Sequence, residues 1–156
     1  MESVGQISRT EFIEKCVRIL PLLYLKALLL PVEIEMQSDE EVEMSVTEEQ
    51  YEILKLNIAN LLADQDDYLE VFHQDMPYSD TPILASISEN LADIYQDIMN
   101  FISVYRRGLP ETMNDALFVC KENFHDFWGQ NLVNVLRALH SLSTKNTDFY
   151  ADEEND

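Results

Sequence analysis

Between Ile87 and Tyr105 the apolar residues Ile87, Leu91, Ile94, Ile98, Phe101, Ile102 and Tyr105 recur at steps of three and four. That spacing draws one apolar stripe along a helix; in a strand it would scatter those residues over both faces. Ser86-Ile-Ser-Glu89 opens the stripe as a capping box, in which a side-chain hydroxyl and a side-chain carboxylate satisfy the first free amides. Arg106 and Arg107 suit the negative end of the helix dipole, and Gly108 suits the residue just past it. Pro110 then fits the first turn of a following helix. So short a connection forces the two helices to run antiparallel. The stretch therefore commits the chain to an all-α fold, an antiparallel bundle of four long helices plus one short helix.

The remaining elements follow from the same signals. Ser8-Arg-Thr-Glu11 caps a first helix from Arg9 to about Leu29, with Phe12, Cys16, Ile19, Leu23, Ala27 and Leu30 at helical spacing. Pro21 lies inside it and predicts a kink or a break, because its ring clashes with the carbonyl of Val17. From Leu22 onward this helix is apolar almost all round, which predicts burial on several sides. Residues 31–46 are acidic and without period, and are read as a mobile loop. Thr47-Glu-Glu-Gln50 caps a second helix carrying Tyr51, Leu54, Ile58, Leu61 and Leu62. After an interruption at Asp64–Asp67, a short helix with Tyr68, Val71 and Phe72 inward is expected to end near His73. The last long helix runs from Pro110 to about Leu142. Gly129 in its middle predicts a close helix crossing, at a cost of about 1 kcal/mol relative to Ala. Residues 1–143 form one domain and 144–156 a disordered acidic tail.

Three glycines and five prolines in 156 residues leave little material for the turns of an all-β chain. The apolar run from Ile19 to Val32 is interrupted by Lys26 and two prolines, and falls short of the roughly 20 residues that span a bilayer. With no secretory pattern at the N-terminus, and with Cys16 and Cys120 both in helical apolar patterns, reduced core thiols in a cytoplasmic protein are expected.

The net charge is −20. No Lys or Arg stands between Lys55 and Arg106, while Asp64, Asp66, Asp67, Glu70, Asp75, Asp80, Glu89, Asp93 and Asp97 do. Glu33 to Glu49 contains eight further acids and no base. Such a surface repels nucleic acid and anionic membranes and attracts basic proteins or cations.

EVFH (Glu70 to His73) and ENFH (Glu122 to His125) each place an acid and an imidazole one turn apart on a helix. Two Glu-x-x-His pairs are half the ligand set of a ferritin-like di-metal bundle. Equal rise from Gly108 sets Glu89 and Asp93 near the height of Glu122 and His125, so these six residues form an alternative reading with iron or manganese as the metal. Against it, 17 Glu and 3 His in a chain of this length supply about a third of one such pair by chance. His73 is expected at a solvent-facing helix end. His125 could equally hydrogen-bond Glu89 or Asp93 across the helix pair. Asp64 to Glu70, DQDDYLE, lacks the glycine and length of a calcium loop. Arg137, the sole base in its apolar surroundings, is expected to anchor the loop near residues 78–80 through an ion pair or a carbonyl. A small-ligand pocket lined by Trp128, Tyr95 and Arg137 is a third reading.

YLEVF (Tyr68 to Phe72), ISENLADIYQDI (Ile87 to Ile98), YRRG (Tyr105 to Gly108), WG (Trp128, Gly129) and VLRALHSL (Val135 to Leu142) resemble, in order and spacing, an uncharacterised bacterial family catalogued as domain of unknown function 5063. The resemblance implies a small all-helical bacterial protein of cytoplasmic type and implies no reaction. It also implies that the acid of EVF recurs without a following histidine, and that the position of His125 is usually aromatic. The leading expectation is a non-catalytic acidic module that binds another protein through its acidic face and the Glu33–Glu49 loop, in the manner of an immunity protein or antitoxin against a basic partner. Arg137, Trp128, Tyr105 and Arg106 are its candidate contact or structural residues.

Overall fold

The computed structural model describes residues 7–70 and 83–153. Helix α1 spans Arg9–Leu28, α2 Glu48–Leu62, α3 Ile87–Tyr105, α4 Pro110–Asn123 and α5 Gly129–Glu153, with short strands β1 (Asp67–Leu69) and β2 (Leu84–Ser86). Helix α1 packs on α5, α2 on α3, and α3 on both α4 and α5. The N-terminal caps are those expected: Ser8, Thr47 and Ser86 each accept an amide of the first turn, and Thr47 with Gln50 completes a reciprocal capping box. Gly108 has φ +73°, a left-handed conformation that lets the chain reverse from α3 into α4.

The core gathers where these helices meet. Ile13, Leu62, Ile87, Trp128, Leu132, Val135 and Leu139 are almost wholly buried. Burying each aliphatic side chain contributes about 1.5–3 kcal/mol.

Several expectations need correction. Helix α1 runs unbroken through Pro21, whose exposed ring loses one backbone hydrogen bond while the buried side of the helix stays packed. The C-terminal half of α1 is not buried on several sides: Leu22, Leu25 and Leu28 are each more than half exposed. The expected short helix after Asp67 is a strand over Asp67–Leu69. It pairs antiparallel with Leu84–Ser86 in the register Asp67 with Ser86 and Leu69 with Leu84. The residues alternate: Tyr68 and Glu70 turn inward, Asp67 and Leu69 outward. Because the inward positions hold a phenol and a carboxylate, period two was hidden from a hydrophobicity reading. Val71, Phe72 and His73 lie outside the described residues.

The last long helix is not regular. A π-helical turn, Phe124–Trp128, links α4 to α5, and α5 continues beyond Leu142 to Glu153. Gly129 closes this turn. Its amide donates to the Phe124 carbonyl five residues back, and an added Cβ would stand 2.4 Å from that oxygen and 3.0 Å from the Phe124 ring. The widened turn lets Phe124 and Trp128 meet edge to face at 4.6 Å, with the indole N–H donated to the Cys120 carbonyl.

Candidate functional site

Residues 31–46 have no regular structure, yet they are tied down along their length as a strap across α3 and α4. The Asp115 carboxylate, only 3% exposed, accepts the amides of Gln37 at 2.7 Å and Ser38 at 3.0 Å. Asn114 donates to the Glu35 carbonyl and Lys121 to that of Val32. At the other end the Asn100 side-chain oxygen accepts the amides of Ser45 at 2.8 Å and Val46 at 3.0 Å. Arg107 pairs with Glu43. An irregular segment has no ladder for its own amides, so side chains of the helices beneath supply the acceptors. These backbone amides hold the Asp115 carboxyl below its ordinary range.

The strap roofs a cleft of about 460 Å³. Its apolar lining comes from Met36, Met44, Phe101, Val119 and Cys120, with Asp97 of α3 and with Asp39, Glu40 and Glu41 of the strap. Half-burial pushes the Asp97 carboxyl above its ordinary range, and the hydrogen bond from Asn123 at 2.7 Å opposes this only in part. Burial pushes the Cys120 thiol to about 12, so it stays protonated and apolar in character. A largely apolar cleft that is also lined by carboxylates suits a side chain with an aliphatic stem and a cationic tip.

Among the described residues the candidate metal ligands do not converge. His125 is 84% exposed on its side chain and bonds Asp126 at 2.8 Å, which raises its pKa. The π turn accounts for this. It adds a residue to the helical register, so His125 does not keep the face that a regular helix from Pro110 to Leu142 would give it. Glu122 and Glu89 are exposed. Asp93 accepts the Tyr51 hydroxyl at 2.7 Å, and burial raises its pKa. Glu70 is buried and bonded by Asn134, in a network where Tyr68 accepts from Asn90. His73 lies outside the described residues. Among the described residues no group of three or more His, Cys, Asp or Glu is placed to hold a metal ion.

The other candidates separate as well. Trp128 is 1% exposed, a core residue and not a contact surface. Arg137 donates to the Leu69 carbonyl at 2.9 Å and so holds β1; residues 78–80 lie outside the described residues. Arg137 is exposed, whereas Trp128 is interior. Tyr105 is 42% exposed, against Phe101 at 5.1 Å, and Arg106 is exposed at the end of α3. Sequence reasoning missed Asp115, Asn100 and the cleft. Asp115 and Asn100 read as ordinary polar positions, and only the fold of the strap gives them backbone amides to bind.

The profile of a family described as a domain of unknown function (DUF5063) matches residues 1–145. Among solved structures the chain is similar to the crystal structure of protein BF1032 from Bacteroides fragilis. The two share 51% sequence identity and a TM-score of 0.79, over 90% of this chain and 81% of that one. No curated protein matches it. Among the described residues no helix is long and apolar enough to cross a membrane.

Proposed function

The chain belongs to the family described as a domain of unknown function (DUF5063), and from that premise we propose that it is a non-catalytic acidic module that binds a basic protein segment under its strap. The observation that carries this reading is the cleft itself. Its volume, about 460 Å³, falls within the roughly 300–1,000 Å³ usual for recognition pockets. Its lining matches a lysine or arginine side chain in both parts: Met36, Met44 and Phe101 against the stem, Asp97 against the tip. On its strap side, Asp39, Glu40 and Glu41 supply the field that draws a cationic segment in. Tyr105 extends the same surface beside Phe101.

The test is calorimetric titration with a lysine-rich amphipathic peptide at low and at raised salt. Affinity is expected to fall several-fold with salt. It should fall at least tenfold in a Glu40→Lys, Glu41→Lys chain and in Asp97→Asn. Binding indifferent to salt, or unchanged by Asp97→Asn, sinks the reading.

A further inference from the structure

We propose that the C-terminal half of α1 is the contact face of a two-fold homodimer, independently of the reading of the cleft. The outward side of α1 changes character along its length. Near the N-terminus it carries Glu11, Glu14, Lys15 and Arg18, tied as the pairs Lys15–Glu11 and Arg18–Glu14. One turn later the same side presents Leu22, Leu25 and Leu29, which are 60%, 53% and 73% exposed. Ile19 and Leu28 flank them, and Val32 continues the patch. These six residues leave on the order of 600 Å² of apolar surface per copy, against about 800 Å² per partner in a standard interface.

Three features favour a second copy as the occupant. First, charge: from Arg9 to Leu28 the bases Arg9, Lys15, Arg18 and Lys26 outnumber the acids Glu11 and Glu14. In a chain of net charge −20, α1 is thus a face on which two copies meet without opposing their acidic surfaces. Second, self-complementarity: a two-fold contact needs knobs and holes on one patch. Beside the leucine stripe lies an apolar hollow of about 180 Å³ between α1, α3 and α4, lined by Leu23, Ala27, Leu30, Ile98 and Leu117 with Lys26 at its edge. It is large enough for a leucine side chain from the opposite copy and offers it no polar group to desolvate. Third, area, as above, is near what a stable contact requires. The hollow and the acidic cleft adjoin, with Phe101 and Cys120 lining both.

Sedimentation of the full chain through the micromolar range tests this. The wild type is expected to approach twice the chain mass, more readily in raised salt, because screening removes the residual repulsion. Leu25→Glu is expected to weaken the dimer at least tenfold while the circular dichroism stays native, since Leu25 is already half exposed. Leu25→Cys supplies a second variant: mild oxidation should yield a covalent dimer. Wild type should not, since burial keeps the Cys16 and Cys120 thiols protonated, with pKa values of about 11 and about 12. A wild type that stays monomeric at every concentration overturns the proposal, whether or not it then binds neutral vesicles through this face. A dimer that survives Leu25→Glu, or that gives no Leu25→Cys cross-link, overturns it as well.

Discussion

Asp97 and Asp115 face each other across the site in a chemical sense: one carboxyl is penalised by its surroundings, the other rewarded. Burial raises the Asp97 pKa above its ordinary value of 3.8. A raised folded-state pKa means that the favourable contribution exists below that ordinary value and is lost as pH climbs through the folded one. Asp97→Asn keeps an oxygen for the Asn123 amide and removes the charge. It should therefore raise the melting temperature at neutral pH, and the gain should shrink as pH is lowered toward 4. A gain independent of pH would assign the effect to something other than ionisation. The same variant is expected to lose affinity for the basic peptide, so weakened binding cannot be blamed on unfolding. Asp115 runs the other way. Amides of Gln37 and Ser38 lower its pKa, so its contribution stands above 3.8 and fades as pH falls through the lowered value. Asp115→Ala should free those two amides to exchange with deuterium and should slacken the strap, leaving α3 and α4 protected. Exchange unchanged at Gln37 and Ser38 would show that the carboxylate does not anchor the strap.

Gly129 decides the shape of the last long helix. In a regular helix Gly→Ala at an interior site stabilises by about 1 kcal/mol. Here the new Cβ would meet the Phe124 carbonyl at 2.4 Å, a backbone atom that cannot swing aside. Gly129→Ala is therefore expected to destabilise, by about 1–3 kcal/mol, as overpacking does. A stabilised variant in urea titration would mean that Phe124–Trp128 is an ordinary α-turn. Much of this level was legible in the sequence. The three-and-four spacing of Ile87 to Tyr105, the hydroxyl caps and Gly108 fixed helix starts, one reversal and the bundle class, because each is a local signal with a local cause. The π turn was not, since a glycine in mid-helix has several causes and only the Phe124 carbonyl distinguishes them. Nor was β1: with Tyr68 and Glu70 as the inward residues, its alternation is one of shape and hydrogen bonding, invisible to hydropathy. The cleft escaped for a third reason. It is walled by the strap and by α3 and α4, with the strap more than fifty residues before either helix wall, and no local pattern joins them.

At the scale of the molecule the net charge of −20 acts twice, with opposite signs. Within the chain it repels. Arg9, Lys15, Arg18, Lys55 and Arg107 already sit against carboxylates, leaving few cations to offset the rest. Helix α3 has none before Arg106, and the charges of Glu89 and Asp97 help hold Asp93 above its ordinary range. Toward a basic partner the same charge attracts. Salt screens both, with a Debye length of about 10 Å at ~0.1 M. Raising sodium chloride from about 10 to 150 mM should therefore raise the melting temperature of the free chain and, over the same range, weaken the complex with the lysine-rich peptide. Thermal melts and titrations on one set of buffers check both slopes. If stability fell with salt, the exposed ion pairs would outweigh self-repulsion, and the acidic surface would be a support of the fold. Opposite slopes would instead mark it as a surface that the folded chain carries at a cost, which is what a surface kept for an external cation entails.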